Sequence, residues 1–520
     1  MADTKREIER KYEGPPAGGD APLPDLTGVP GVSGVIDKGV AELDATYYDT
    51  ADQRLATASL TLRRRTGGDD AGWHLKLPVS EGVRDEIRAP LSDTVPEDLT
   101  ALVRSRIREA ELVPVVRLRS ARDIRHLVDA SGDLLAEVSV DRVRAERLSG
   151  GEDTGRGTGT GTVEWTEIEV ELADDGDPAF LDKVEKKLRK AGVNRSSSPS
   201  KLARALAETA PRRKKRGEAG PEPGNGTQPT PVSAGDHVLA YLRAQRDAII
   251  ELDPAVRRDV YDSVHRMRVA TRRLRSAFRS YGKVLDRTVT DPIGDELKWL
   301  AAELGVGRDQ EVLTERLTTA LDDLPPTLVM GPVHTRLSTW AGARGSGSRQ
   351  RLLAVLDGQR YLDLLTALDA LLADPPLLKA ASKAPEKEIA KAVRKDFTKV
   401  SDLIGQALDL PPGVDRDLAM HEARKKAKRT RYAAEAATPA LGEPAADLVK
   451  SMKSLQTLLG DHQDSVMARE ALRELAGLAY AAGESSFTYG VLHGREEQRA
   501  AAAEAALPGE WESIAGQGGV

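Results

Sequence analysis

Glu7-Ile8-Glu9-Arg10-Lys11, near the start of this 520-residue chain, decides how its first half is read. On an extended strand alternate side chains share a face, so Glu7, Glu9 and Lys11 point one way while Ile8 and Arg10 point the other. The same phase recurs downstream, in Arg63 with Arg65, Arg117 with Arg119, Glu137 with Asp141, Glu167 with Glu169 and Glu171, and Arg84 with Glu86 and Arg88. The outer face of an antiparallel sheet would mix signs with Thr, Ser and Gln. Here acidic and basic groups mostly segregate to different strands, as in Arg63 with Arg65 and Glu167 with Glu169 and Glu171, which fits faces turned into a hydrated lumen. Carboxylates there suit a hard divalent cation, and arginines suit phosphate oxygens.

Around this segment, period-two alternation bounded by turn residues predicts strands at 5–13, 45–49, 60–65, 73–77, 84–88, 113–119, 124–128, 134–145 and 163–172. A glycine-rich hairpin loop is expected at 150–161, and helices at 178–191 and 201–208. Antiparallel strands in such a series predict a closed barrel or a pair of sheets. Residues 211–235, with the basic run Arg212–Arg216 followed by Gly, Pro and Thr, read as a flexible solvated linker.

Beyond it, strand signals vanish and charges fall at helical spacing. Helices are expected at 236–252, 257–285, 292–304, 308–321, 332–342, 348–373, 385–408, 415–438, 442–460, 463–482 and 486–506. His265-x-x-Arg268-x-x-x-Arg272-Arg273-x-Arg275 recurs as His421-x-x-Arg424-x-x-x-Lys428-Arg429-x-Arg431, and Leu304-Gly305-x-x-x-Asp309 recurs as Leu459-Gly460-x-x-x-Asp464. A duplicated helical unit explains both. His265, Arg268, Arg272, Arg275 and Arg279 project within an arc of about 80°. No Asp or Glu interrupts them, so a polyanion, or acids such as Asp309, Asp461 and Asp464, must offset their repulsion.

Composition narrows the classes. Net charge is −6, so basic residues matter only where they cluster. The absence of cysteine excludes disulfides, thiol nucleophiles and Cys-type zinc sites. No signal-peptide core or long apolar run is seen, so a cytoplasmic location without membrane contact is expected. Aromatic residues make up 4% of the chain, which argues against nucleic acid as partner because bases would lack stacking platforms.

Glu7–Lys11 resembles the ExExK signature of the CYTH superfamily, the triphosphate tunnel metalloenzymes. Tyr47-Tyr48-Asp49-Thr50, Leu62-Arg63-Arg64-Arg65-Thr66, Trp73-His74-Leu75-Lys76-Leu77-Pro78, Glu167-Ile168-Glu169-Val170-Glu171-Leu172 and Ser200-Lys201 follow in the family's order. The resemblance implies an antiparallel β tunnel that hydrolyses inorganic triphosphate or thiamine triphosphate, or cyclises ATP. It implies Glu7, Glu9 and Lys11 as catalytic residues and Glu7, Glu9, Glu167 and Glu169 as ligands of Mg2+ or Mn2+. It further implies Lys11, Arg63, Arg65, Lys76, Arg117 and Lys201 as phosphate ligands, with Asp141 and Glu171 in looser motifs. His74 is read as out of phase with the residues around Lys76 and as a minor candidate for a base.

The repeated segment, with Glu484-x-x-Phe487-Thr488-Tyr489-Gly490, resembles the CHAD domain. That implies two pseudo-symmetric helical bundles binding inorganic polyphosphate through His265, Arg268, Arg272, Arg273, Arg275, His421, Arg424, Lys428, Arg429 and Arg431. Lys428 departs from the first copy, keeping the charge of Arg272 but losing its planar fork.

The expected architecture is thus α+β and multidomain: a β tunnel with peripheral helices over 1–210, a linker over 211–235, and an all-α duplicated domain over 236–508. The expected activity is metal-dependent hydrolysis of triphosphate or a related phosphoanhydride, coupled to polyphosphate binding and to association with polyphosphate granules. The alternatives are a non-catalytic polyphosphate or granule binder, and thiamine triphosphatase or adenylate cyclase activity in the tunnel.

Overall fold

The alternation around Glu7 is realised in a computed structural model that describes residues 3–14, 23–148, 161–210 and 231–516. The chain divides into two units, Met1–Glu222 and Pro223–Val520. In the first, strands β1 (Asp3–Glu13), β2 (Gly34–Asp49), β3 (Thr61–Thr66), β4 (Gly72–Ser80), β5 (Val83–Ala89), β6 (Val113–Val128), β7 (Leu134–Arg147) and β8 (Thr162–Leu172) form a closed antiparallel barrel. Its order is β1-β5-β4-β3-β2-β6-β7-β8, and β1 closes it by pairing with β5 through Asp3–Ile8 and with β8 through Glu9–Glu13.

Register carries the charged phase around the wall. Glu7 faces Arg84, Glu86 faces Lys76, Asp141 faces both Arg122 and Glu167, and Glu169 faces Lys11. Much of the apolar phase lies outside, covered by helices. Trp73, Leu75 and Ile87 pack with Leu99 and Val103 of α2 (Glu97–Ile107), after the single turn α1 (Arg54–Thr57). Tyr12, Ile168 and Val170 pack with Phe180, Val184 and Leu188 of α3 (Ala179–Lys190). At roughly 1.5–3 kcal/mol per buried side chain, these outer seams offset the cost of a polar interior. Helix α4 (Lys201–Glu208) starts at Ser200, whose side chain caps Ala203 N–H. Leu202 and Ala205 anchor it against Val116, Leu118 and Trp165, which leaves Lys201 free to reach the lumen.

Two strand expectations need correction. Segments 113–119 and 124–128 are one strand, because β6 is paired with β2 on one side and β7 on the other throughout the supposed turn. Likewise β2 starts at Gly34 rather than 45; a register shift between Asp37 and Gly39, with Gly39 at φ +82°, bends it and weakens its alternation. The 150–161 loop, save Gly161, and the basic run Arg212–Arg216 lie outside the described residues.

The second unit is helical: α5 (Ala234–Arg257), α6 (Ser263–Ser280), α7 (Arg287–Glu303), α8 (Val306–Asp322), α9 (Val333–Gly345), α10 (Ser348–Asp357), α11 (Gln359–Ala373), α12 (Pro385–Asp409), α13 (Val414–Leu441), α14 (Glu443–Ala481) and α15 (Phe487–Ala515). Gly358 splits the expected helix 348–373, whereas α14 runs unbroken through Gly460, where two helices were expected. The duplicated segments are α6 with α7–α8 and α13 with α14. Tyr281 O–H donates to Ala433 C=O at 2.7 Å, tying the end of α6 to α13. No described helix is long and apolar enough to cross a membrane.

Candidate functional site

The barrel interior is a polar cavity of about 180 Å³. β1 contributes Lys5, Glu7, Glu9 and Lys11; β3 contributes Arg63 and Arg65; β4 and β5 contribute Lys76, Arg84, Glu86 and Arg88; β6 to β8 contribute Arg122, Glu137, Glu169 and Glu171; and Lys201 enters from α4. The proposed inward faces of Glu7, Glu9, Lys11, Arg63, Arg65, Lys76, Glu169 and Lys201 are therefore what the structure places there.

Most of these charges are paired. Lys76 donates to Glu7 at 2.5 Å and lies 3.6 Å from Glu86, while Arg63 is also 3.6 Å from Glu86. Lys11 bridges Glu9 and Glu169. Arg122 donates to both oxygens of Asp141 at 2.8 and 2.7 Å and to Glu169 at 2.7 Å. Lys201 sits 2.9, 2.8 and 2.7 Å from Asp141, Glu167 and Glu169. Burial raises the Glu7 pKa despite Lys76. At Glu169 burial is outweighed by Lys11, Lys201 and Arg122, which hold the carboxyl well below its ordinary range. Arg65 contacts Asp70 yet is pushed down to about 9 by burial and by its neighbours Arg63 and Arg122.

Carboxylate oxygens of Asp141, Glu167 and Glu169 lie within 4.8 Å of one another. An all-oxygen donor set of this kind fits a hard divalent cation. Trp165 Nε1–H orients Glu167 at 2.7 Å. Glu167 and Glu169 thus group with Asp141, the looser motif residue, while Glu7 groups with Lys76 and Glu86.

Arg117 is not in the lumen. It takes the opposite strand phase from Arg122 and makes a two-point pair with Asp44 on the outer wall, as an exposed neighbour of Arg119. The inward arginine of this strand is Arg122, which the sequence reading missed by assigning residues 120–123 to a turn. Continuing the even-numbered phase of Val116 and Leu118 would have found it. Glu86, whose phase with Arg84 and Arg88 the sequence shows, carries no role in the sequence reading yet lines the lumen. His74 does share the inward phase of Lys76; its Nδ1 is 2.9 Å from Glu86 and its Nε2 is 2.9 Å from Asp70 C=O. Burial lowers its pKa to about 4, and with both nitrogens engaged it positions Glu86 instead of serving as a free base.

In the helical unit a cavity of about 440 Å³ is lined by His265, Arg268 and Arg272 of α6, Arg308 and Arg316 of α8, His421, Arg424, Lys425 and Lys428 of α13, and Asp464 of α14. Both copies of the stripe therefore face one pocket. Arg268 grips Asp309 with two hydrogen bonds of 2.6 and 2.9 Å, and Arg424 is 4.0 Å from Asp464. The recurring glycine gives room for these guanidinium groups: a Cβ on Gly305 would lie 2.6 Å from Arg268, and one on Gly460 would lie 3.3 Å from Arg424. Among the described residues Arg272 and Lys428 make no ion pair. Burial, joined by Arg268 and Arg424, lowers the Arg272 pKa, and burial with Arg424 and Arg272 lowers Lys428 to about 7.

The rest of the stripe does structural work. Arg273 and Arg431 pair with Glu435 and lie over Tyr432. Arg429 joins Asp396, Ser280 and Arg279 C=O. Arg275 lies outside the pocket, beyond Arg272 on α6. Helical projection placed these residues on or near one stripe but could not show which neighbouring helices cover them.

Comparison with known proteins agrees with both halves. The CYTH domain matches residues 5–206 and the CHAD domain residues 240–473. An uncharacterized protein of Mycobacterium tuberculosis, from strains H37Rv and CDC 1551, is 39% identical over 497 residues, covering 94% of this chain and 92% of its own. Among solved structures, PptA from Streptomyces chartreusis is 21% identical and covers 54% of this chain and 100% of its own, with a TM-score of 0.46. The CHAD domain from the plant Ricinus communis is 20% identical and covers 57% of this chain and 97% of its own, with a TM-score of 0.42.

Proposed function

The chain belongs to the family that joins a CYTH domain to a CHAD domain, and from that premise we propose that its barrel hydrolyses inorganic triphosphate or a related phosphoanhydride with a divalent metal, while its helical unit binds inorganic polyphosphate. The CYTH domain supports membership of the triphosphate tunnel metalloenzymes. The observation that carries the finer reading is a single lumen walled by both oxygen donors and phosphate-gripping cations.

Asp141, Glu167 and Glu169 would hold an ion such as Mg2+ or Mn2+, which when bound neutralises charge on phosphoryl oxygens. The chain's own cations do the remaining work. Lys11, Lys76, Arg63 and Arg122 exchange carboxylate partners for phosphate oxygens, and Arg65, whose buried Nε has no hydrogen-bond partner, donates to them as well. Exchange of one ion pair for another avoids leaving a buried charge bare, the costly alternative. The fixed cations orient the phosphate chain and stabilise charge at the reacting phosphorus without reorganising at the moment of reaction.

In the helical pocket, the unpaired Arg272 and Lys428 flanked by Arg268 and Arg424 provide the sites for successive phosphates. Binding there is expected to weaken steeply with salt, and association with polyphosphate granules follows from it. The test is phosphate release from tripolyphosphate, long polyphosphate, ATP and thiamine triphosphate, with and without each metal. Metal-dependent release from tripolyphosphate supports the reading; turnover of none of them supports a binding protein only.

A further inference from the structure

A second group of ligating side chains lies in the helical unit, apart from the cationic pocket. Asp417 of α13, His462 of α14 and Glu504 of α15 converge from three helices. His462 is 1% exposed, and its Nε2 has no hydrogen-bond partner. That nitrogen faces Asp417 Oδ1 at 3.1 Å and Glu504 Oε1 at 3.5 Å. For metal–nitrogen and metal–oxygen bonds of about 2.0–2.1 Å, two ligands on a tetrahedral ion stand about 3.3 Å apart. The observed separations bracket that edge.

The outer oxygens are held as well. Arg469 is 3.6 Å from Asp417 Oδ2, and Arg416 is 3.3 Å from Glu504 Oε2. Each carboxylate thus turns one oxygen to the histidine and the other to a guanidinium, an outer shell that orients ligands and balances their charge. The internal repeat does not contain this constellation: Tyr261 and Gly307 stand where Asp417 and His462 stand in the second copy. It is therefore not a by-product of the packing the two copies share.

We propose that Asp417, His462 and Glu504 bind a divalent transition metal of the zinc class, which staples α13, α14 and α15 and leaves a fourth position for water. Asp417 lies one turn before His421 and His462 two residues before Asp464, so the ion steadies the second-copy side of the cationic pocket.

The full-length protein is titrated with zinc and with cobalt(II), whose visible absorption reports low-coordinate nitrogen and oxygen ligation, and compared with His462→Gln and Glu504→Gln. The wild type is expected to retain one more metal equivalent than either variant, to show the cobalt band they lack, and to gain melting temperature on zinc addition where they do not. Circular dichroism checks that each variant is folded, and Asp417→Asn replaces any that is not. Folded variants with wild-type stoichiometry, spectrum and zinc response overturn the proposal, as does a wild type that retains no metal there; in that case the three residues are only a buried ion-pair network.

Discussion

Glu169 takes hydrogen bonds from Lys11 and Arg122 and contacts Lys201. Glu169→Gln leaves these cations under-compensated. It is expected to cost about 3 kcal/mol of stability, as breaking a buried pair does, and to reduce phosphate release by roughly a hundredfold or more. The sign of its pH effect follows from the depressed carboxyl pKa. Its stabilisation is present above the unfolded value of about 4.3 and is lost as pH falls through the lower folded value. Acid unfolding curves of wild type and variant should therefore converge at low pH. Arg117 and Arg122 provide the complementary contrast. Arg117→Ala should change stability by no more than about 1 kcal/mol and leave turnover nearly intact, while Arg122→Ala, which bares Asp141 and Glu169, should abolish it; urea melts and phosphate release check both. Lys428 makes the pocket pH-dependent. Its pKa of about 7, lowered by burial and by Arg424 and Arg272, means charge is lost as pH rises past neutrality in a pocket also lined by Arg268, Arg308, Arg316, Asp309 and Asp464. Affinity for polyphosphate should fall between pH 7 and 9 by at most about tenfold per unit, and Lys428→Arg should flatten the profile in a fixed-salt titration. Burial, with Lys425 beside it, lowers the pKa of His421.

The paired glycines link helix packing to the pocket. Gly305 stands at the break between α7 and α8, with Arg268 lying across it; Gly460 takes the same place within the unbroken α14. Gly305→Ala should leave the fold intact, because the atom met is the far end of a flexible side chain, but displace Arg268 from Asp309 and weaken polyphosphate retention several-fold. Gly460→Ala, with its looser 3.3 Å approach, should weaken it less. The elements also show what alternation and helical projection can convey. Glu7–Lys11 and Glu167–Glu171 revealed their inward faces because a two-residue period survives without knowledge of partners. Arg122 was hidden because Ser120–Asp123 has the composition of a turn, and only pairing on both edges keeps it extended. In α6 and α13 projection found the cationic stripe. Arg431 and Glu435 form an i,i+4 pair on α13, but the partners of Arg273 and Arg429, Glu435 and Asp396, come from other helices.

For the molecule as a whole, a net charge of −6 conceals two concentrations of cations, one matched by acids within a barrel and one between helices in which Arg272 and Lys428 have no ion pair among the described residues. The division into a strand-rich and a helix-rich half was readable from periodicity alone. Closure of the barrel was not, since it depends on β1 pairing with both β5 and β8. The two kinds of site predict separable activities. The most direct measurement is phosphate release from tripolyphosphate with Mg2+ or Mn2+, made beside polyphosphate retention, for the wild type and the Glu7→Gln, Glu9→Gln double variant. Metal-dependent release that disappears in the variant while retention is unchanged is the predicted result. A wild type that releases no phosphate with either metal, or a folded variant that loses release and retention together, would contradict it.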